Sequence, residues 1–366
     1  MKIFALYNHD MKRKFTIIII LLLLLCSCNE MAHEHTFSTS WSYNSVNHWH
    51  ESTCGHNVTS DLGTHQFPSD WSTRSVGGVE EKYKACLVCG FEQVYSVFDV
   101  STSGVVTLKS GIEDTISGTI SIPSKLYGIT ITDIGENAFS RCSKLKSVSI
   151  PDSVITIGSE SFSYCTGLTS IEIPNSVSNI GTYAFWNCIS LDNVILPNSI
   201  TSIRTCSFTN CAFSHITIPE TVSEIGDGAF ECCRHLTDIL IPAKVEIINN
   251  YVFKECDNLV AISFGGNIKS IGDYAFASCY KLSSINLPQS LSIIGKYAFE
   301  SCYELESITI PVSILSIGNH AFSGCVKLTS IYYDGTVEQW AYVNKGVSWS
   351  STVASVVHCI NGDVTI

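Results

Sequence analysis

The sequence predicts a mainly β repeat solenoid of about nine to ten coils, made of short parallel strands and tight helical turns, behind a small His/Cys-rich N-terminal module. Two observations lead to this fold class. A Phe recurs three residues before a Cys along most of the chain, and Ile-x-Ile-Pro usually follows that Cys. The cysteines themselves recur every 23 residues, with one interval of 22: Cys142, Cys165, Cys188, Cys211, Cys233, Cys256, Cys279, Cys302 and Cys325.

The repeating unit reads L-x-x-I-x-I-P-x-S-V-x-x-I-G-x-x-A-F-x-x-C. Its Ile-x-Ile segment alternates with period two, which favours a short strand, and the Pro ends that strand because it cannot donate to a ladder. We interpret Ile-Gly as a bend on the far side of the coil and Ala-Phe-x-x-Cys as one tight helical turn. One coil cannot bury its apolar side chains alone, so neighbouring coils must stack around a continuous core.

The unit resembles the 23-residue leucine-rich repeats of the BspA-like type, which occur in bacterial surface proteins. The resemblance covers roughly residues 97–366 and implies a right-handed leucine-rich-repeat superhelix. It places the solenoid at 97–331 and a C-terminal cap at 332–366, where Gly335-Thr-Val-Glu-Gln-Trp340 departs from the period. We interpret His358, Cys359 and Asp363 as parts of this cap.

Residues 1–27 are interpreted as an export signal. The basic run that begins at Met11, where we expect the chain to start, precedes an 11-residue, mainly apolar run from Phe15 to Leu25. That run is shorter than the ~20 residues of a membrane-spanning helix. Leu25-Cys26-Ser27-Cys28 resembles a bacterial lipobox, which implies a lipid on Cys28 and a place in the bacterial cell envelope, as an outer-membrane or cell-surface lipoprotein. An ordinary secretory signal is the alternative.

Residues 28–96 form the His/Cys-rich module. Cys86 and Cys89 have the spacing of a zinc knuckle, in which two thiolates converge with two further ligands. The further ligands of such a structural zinc would come from His50, Cys54, His56 or His65. A Cys86–Cys89 disulfide, which suits an exported chain, and His/aromatic packing without metal are the alternatives. No other cofactor is predicted.

The nine periodic cysteines are predicted to be free thiols inside the core. Equivalent side chains run parallel in a regular stack, and pairing them would break it, whereas free Cys packs as a small buried hydrophobe. Cys206 and Cys232 lie outside this register in adjacent coils, and we do not favour a disulfide between them.

The net charge and the sequence motifs limit the classes of function that the chain can have. The 366-residue chain has a formal net charge of −12. Because residues 1–27 carry a net +3, the mature chain would have −15. This charge argues against nucleic-acid binding, which depends on Lys and Arg. The sequence contains no nucleophile elbow, P-loop, HExxH or dinucleotide fingerprint, and we predict that the protein is not an enzyme.

A binding surface is the remaining prediction. Of the side chains that should face outward from the strands, Ile195 and Leu240 are apolar where their equivalents are mostly small and polar, and they bracket His215 and Thr217. Tyr274 and Tyr297 share a register and form a second candidate. The predicted function is a lipid-anchored surface protein that binds a protein or glycan, which for an adhesin would be derived from the host. The alternative is a structural or substrate-capturing accessory of a cell-envelope complex.

Overall fold

The computed structural model describes residues 97–126, 128–350 and 353–366, together with backbone strands between residues 42 and 94. It separates a unit Met1–Tyr95 from a unit Ser96–Ile366. The first unit contains two three-stranded antiparallel sheets. Their strands are β1 Ser42–Tyr43, β2 Asn47–Glu51, β3 Thr59–Thr64, β4 Ser72–Val76, β5 Val79–Ala85 and β6 Glu92–Val94.

The second unit consists of short strands joined by turns, with one 3-10 turn at Glu113–Thr115 and one short helix, α1, at Val337–Ala341, among its described residues. Its strands are β7 Phe98–Val100, β8 Val105–Leu108, β9 Ser117–Ser121, β10 Lys125–Leu126, β11 Ile129–Thr130, β12 Asp133–Ile134, β13 Lys144–Ser149, β14 Thr156–Ile157, β15 Ser170–Glu172, β16 Asn179–Ile180, β17 Asn193–Ile195, β18 Ser202–Ile203, β19 Glu224–Ile225, β20 Asp238–Ile241, β21 Ile247–Ile248, β22 Ala261–Phe264, β23 Ser270–Ile271, β24 Ile293–Ile294, β25 Ser307–Ile310, β26 Ser316–Ile317, β27 Ser330–Tyr333, β28 Asn344–Lys345, β29 Val356–Cys359 and β30 Gly362–Thr365.

Apart from the β10-β11 hairpin, these strands form two stacks, and most coils contribute one strand segment to each stack. The first stack contains the predicted Ile-x-Ile strands and has three paired sections: β9-β13-β15-β17, β20-β22 and β25-β27-β29-β30. Most of its parallel pairs join residues 23 positions apart, as in Ser147 with Ser170 and Ser170 with Asn193. The predicted solenoid is therefore confirmed, and the period of the sequence equals one coil.

The second stack contains the Ile of each Ile-Gly pair, in the sections β7-β8-β12-β14-β16, β18-β19 and β21-β23-β24-β26-β28. The interpretation of Ile-Gly as a bend is wrong. The structure instead places the Ile in a two-residue strand, and the Gly serves the close approach of neighbouring coils. A Cβ added to Gly295 would lie 2.5 Å from the carbonyl carbon of Gly272 in the preceding coil, closer than any side chain tolerates.

The Ala-Phe-x-x-Cys segment forms two tight turns rather than a turn of helix. Two residues in each coil have left-handed backbone angles, for example Glu160 with φ 53° and Tyr164 with φ 58°. Such residues interrupt a helix. Alternate amides consequently bond in different directions: the Phe162 N–H donates to Ala184 in the next coil, and the Cys165 N–H donates to Phe162 in its own coil. The turns therefore add a third ladder of bonds between coils.

The core is a column of stacked phenylalanine rings beside a column of thiols. Consecutive ring centroids lie 5.0–6.0 Å apart from Phe139 to Phe322. From Cys165 to Cys325, each thiol donates to the carbonyl oxygen of the Phe in the preceding coil, at S···O distances of 3.0–3.4 Å. All nine periodic cysteines are free and buried, as predicted, and Cys206 and Cys232 are also free.

The thiols are held in their neutral form by their surroundings. Burial raises the pKa of Cys233 to about 12, against an ordinary value near 9, and the pKa of Cys256 is also raised well above that value. Burial disfavours a thiolate because the apolar core cannot solvate its charge.

The C-terminal residues cover the last coil with large aromatic side chains. Trp340 and Trp349 are buried, and the Trp349 ring meets Phe322 edge-on with centroids 6.3 Å apart. Helix α1 is anchored by a capping box, in which the Thr336 side chain accepts from the Gln339 amide and the Gln339 side chain accepts from the Thr336 amide. The Phe column thus ends in a packed aromatic group. No helix among the described residues is long and apolar enough to cross a bilayer.

Candidate binding surface

The solvent side of the first stack, which we call the strand face, presents two side chains per coil. They alternate with buried residues: Val194 is buried, and Asn193 and Ile195 on either side of it are exposed. The outward side chains are, coil by coil, Thr119 and Ser121, Ser147 and Ser149, Ser170 and Glu172, Asn193 and Ile195, His215 and Thr217, Asp238 and Leu240, Ala261 and Ser263, Ser284 and Asn286, Ser307 and Thr309, and Ser330 and Tyr332.

The four residues predicted for partner binding all lie on the strand face, in three successive coils. We call Ile195, His215, Thr217 and Leu240 the Ile195 patch. Ile195 is 57% exposed and Leu240 is 52% exposed, and the other two side chains are also exposed. The expected outward phase of these strands is therefore correct.

The middle coil of the Ile195 patch differs from its neighbours. It contains the 22-residue interval, and residues 213–218 form no paired strand, so the first stack is interrupted between β17 and β20. A side-chain interaction links this coil to the next: His215 Nδ1 lies 2.9 Å from Asp238 Oδ2. The patch therefore combines two exposed aliphatic side chains with a His–Asp pair.

A groove runs along the strand face beside the Ile195 patch. It has a volume of about 1110 Å³ and crosses β9, β13, β15 and β17. Its floor includes outward hydroxyls such as Ser147 and Ser170, its wall is formed by residues that follow the strand-ending prolines, and Ile195 lines one end. The sequence reasoning missed this groove. The available signal was the run of small side chains at successive outward positions, which leaves the space open.

Charge is distributed unevenly around the solenoid. None of the outward residues of the strand face is Lys or Arg, whereas Glu172 and Asp238 are acidic. Elsewhere, cations pair with acids one coil away. Lys254 Nζ lies 2.9 Å from Glu231 Oε1, Lys269 Nζ lies 2.7 Å from Glu246 Oε2, and Arg234 Nη1 lies 2.8 Å from Asp257 Oδ2. The strand face is thus weakly acidic, and four cations on the other faces, Arg234, Lys254, Lys269 and Lys327, form ion pairs.

The second candidate, Tyr274 and Tyr297, belongs to the turns and not to the strand face. The rings stack with centroids 4.7 Å apart, and the column continues to Tyr251 at 5.3 Å and to His320 at 4.9 Å. We call these four residues the tyrosine stripe. Because each interior ring is covered on both faces by its neighbours, the stripe exposes ring edges and hydroxyls rather than flat ring faces. Tyr280 and Tyr303 form a second stack, 5.0 Å apart.

The other predicted sites lie outside the described residues. This applies to the lipid site Cys28 and to Cys54, Cys86 and Cys89 of the proposed zinc site, and His50 is described only as backbone in β2. Within the part of the chain whose side chains are described, no group of three or more His, Cys, Asp or Glu residues is arranged to hold a metal ion. The zinc and lipid sites remain predictions.

Stacked short strands, 23-residue coils and an extended exposed face define a bacterial-type leucine-rich-repeat solenoid. The sequence profile of the BspA type leucine rich repeat region matches six copies, over residues 117–237 and 223–343, and the chain belongs to this family. Repeat arrays of this kind serve as protein-interaction surfaces.

The chain is also similar to solved structures of other leucine-rich repeat proteins. A leucine-rich repeat protein from Bacteroides ovatus ATCC 8483 is 32% identical, with a TM-score of 0.64, over 70% of this chain and 68% of that one. A leucine-rich repeat protein from T. pallidum is 30% identical, with a TM-score of 0.44, over 50% of this chain and 86% of that one. A leucine rich cell surface protein from Faecalibacterium prausnitzii A2-165 is 23% identical, with a TM-score of 0.33, over 75% of this chain and 97% of that one. None of the curated proteins compared with the sequence matches it.

Proposed function

We propose that the protein is a lipid-anchored bacterial surface protein that binds a protein partner through its strand face, with the Ile195 patch as the centre of contact. The observation that carries this proposal is the exposure of Ile195 and Leu240 at positions where most other coils have small polar residues. An apolar side chain that is this exposed contributes nothing to the core, and clustered exposed aliphatics are typical of interaction sites.

The arrangement suits a small contact centre. The two aliphatic side chains stand two coils apart, which at about 4.8 Å per coil is roughly 10 Å along the stack. His215 and Thr217 lie between them and provide polar groups for hydrogen bonds. Protein interfaces commonly combine an apolar centre with polar groups at its rim.

The surface location rests on the family and on the N-terminal sequence. The lipobox-like Leu25-Cys26-Ser27-Cys28 supports export and anchoring through Cys28, and the BspA-type repeats support exposure at the cell surface. An exposed repeat array on an anchor suits an adhesin that holds a host protein. A protein of the bacterium's own envelope is the partner under the alternative, in which the chain is an accessory of an envelope complex.

Two double variants test the proposal. We expect Ile195→Asp with Leu240→Asp to weaken partner capture at least tenfold and to leave the melting temperature almost unchanged, because both side chains face solvent. The control is Ile247→Asp with Ile293→Asp, which changes residues that are 48% and 46% exposed on the second stack. The measurement is capture of proteins from host-matrix and bacterial-envelope preparations, alongside thermal unfolding.

The control variant should capture its partner as the unmodified chain does. Equal losses in the two variants would show that capture depends on net charge and not on the strand face. A loss confined to the control would place the binding surface on the second stack. The preparation that supplies the captured protein separates an adhesin from an envelope accessory.

A further inference from the structure

We propose that the groove beside the Ile195 patch holds an extended segment of the partner protein that carries Lys or Arg side chains, and that Glu172 and Asp152 receive those side chains. This inference rests on the proposed function, since it requires that the strand face binds a protein. It adds the chemical class of the partner segment and a second, polar part of the contact.

The shape of the groove suits a single extended chain. It crosses four neighbouring strands, β9, β13, β15 and β17, which at about 4.8 Å per step gives a length of about 15 Å. An extended peptide advances about 3.3 Å per residue, so about five residues would fill it. The groove is open along its length, which allows the rest of the partner to continue over Ile195.

The charges in the groove are of one sign. Its lining includes Asp152 and Glu172 and contains no Lys, Arg or His. Both carboxylates are exposed, and neither takes part in an ion pair within the part of the chain that is described. Lys146, within β13, is the nearest cation in sequence, and it is not part of the lining. A basic segment would therefore meet two uncompensated carboxylates.

Some other acids of the solenoid are already neutralised by a cation. Glu231 and Glu246, for example, each form an ion pair with a lysine one coil away, which neutralises their charge. Complementary charge raises the rate and the selectivity of association, because it draws oppositely charged partners to the surface. Unpaired acids confined to a groove thus favour a basic ligand over a neutral one.

The rest of the lining favours a peptide over a glycan. The floor is rich in hydroxyls, such as Thr119 and Ser147, whose oxygens lie 2.7 Å apart, and these groups both donate to and accept from a peptide backbone. No Phe, Tyr or Trp lines the groove. Aromatic ring faces are the usual platform for the C–H faces of sugars, and in this solenoid the exposed tyrosine stacks lie on the turns.

The experiment measures peptide binding to the full chain by fluorescence polarisation at physiological salt. The probe is a fluorescein-labelled ten-residue peptide of alternating Lys and Ser, and its counterpart of alternating Glu and Ser serves as the charge control. We expect the Lys-Ser peptide to bind and the Glu-Ser peptide not to bind. Glu172→Gln with Asp152→Asn should weaken binding of the Lys-Ser peptide at least tenfold.

The matched control variant is Glu136→Gln with Glu224→Gln. It removes the same charge from exposed positions on a turn and on the second stack, and it should change the affinity less than twofold. Equal weakening in the two variants would overturn the inference, because net charge alone would then explain binding. Unchanged binding in the groove variant, or equal binding of the Glu-Ser peptide, would overturn it as well.

The outcome is separable from that of the proposed function. If the Ile195→Asp/Leu240→Asp variant loses partner capture and the groove variant keeps both partner and peptide, the strand face binds a protein but the groove does not hold a basic segment. If neither variant loses partner capture, the strand face is not the binding surface and both proposals fail.

Discussion

The free energy of unfolding of the solenoid is expected to fall steeply as the pH rises from 9 to about 10.5, so that the protein unfolds in mildly alkaline solution. The cause is the thiol column. Burial raises the pKa of eight of its thiols: Cys142, Cys165, Cys188, Cys211, Cys233, Cys256, Cys279 and Cys302. The same thiols have an ordinary pKa near 9 in the unfolded chain.

The direction of this pH dependence follows from which state, folded or unfolded, releases protons. Below pH 9 the thiols are protonated in both states, and stability does not depend on them. Above pH 9 the unfolded chain releases protons and the folded chain does not, so each thiol costs about 1.4 kcal/mol per pH unit. Eight thiols together cost on the order of 10 kcal/mol at pH 10, which is comparable to the whole stability of a typical domain.

The measurement is chemical denaturation at a series of pH values, with thiolate absorbance recorded in parallel. Thiolate absorbance and loss of structure should appear together. In a matched variant, Cys256→Ala with Cys279→Ala, stability should fall less steeply with pH, because fewer thiols ionise on unfolding. Two results would contradict the burial of the thiols in the folded core. One is thiolate formation in a chain that stays folded, and the other is an equally steep fall of stability with pH in the variant.

Replacement of Cys28 by Ala is expected to remove the protein from the membrane fraction completely. Lipidation would add several acyl chains to this one residue, and attachment by more than one chain is firm, whereas a single chain gives only marginal binding. The test is metabolic labelling with a fatty-acid probe in the bacterial host, followed by fractionation. The Cys28→Ala protein should be unlabelled and soluble.

Cys26→Ala is the matched control for that experiment. Cys26 follows Leu25, which is too large for the position before a lipidated cysteine, so this variant should remain labelled and membrane-bound. Labelling that persists in Cys28→Ala would show that the anchor lies elsewhere, whereas absence of label on the unmodified protein would indicate an ordinary secretory signal.

The coil architecture could be predicted because a solenoid repeats one environment. A residue type that returns every 23 positions, such as Cys233 and Cys256, must occupy equivalent places in stacked coils, and its apolar character places it inside. Period-two alternation likewise placed Ile195 and Leu240 outside. These predictions needed only periodicity and hydrophobicity.

Other features depend on backbone geometry or on several coils together. The left-handed angles at Tyr164 and its equivalents fall on Asn, Glu, Tyr, Cys and Ser as well as Gly, so composition did not indicate them. The groove arises from small side chains in successive coils beside a wall of turn residues, and no single coil contains it. The close contact at Gly295 is visible only when two coils are stacked.

The most direct test of the strand face as the binding surface is site-specific photo-cross-linking within one coil. A photoreactive amino acid replaces Thr217, on the strand face, in one protein and Ser223, which is exposed next to β19 on the second stack, in another. After irradiation in the preparation that yields the captured partner, we expect a covalent adduct with that partner from position 217 and none from position 223. An adduct from position 223 with none from 217 would contradict the account.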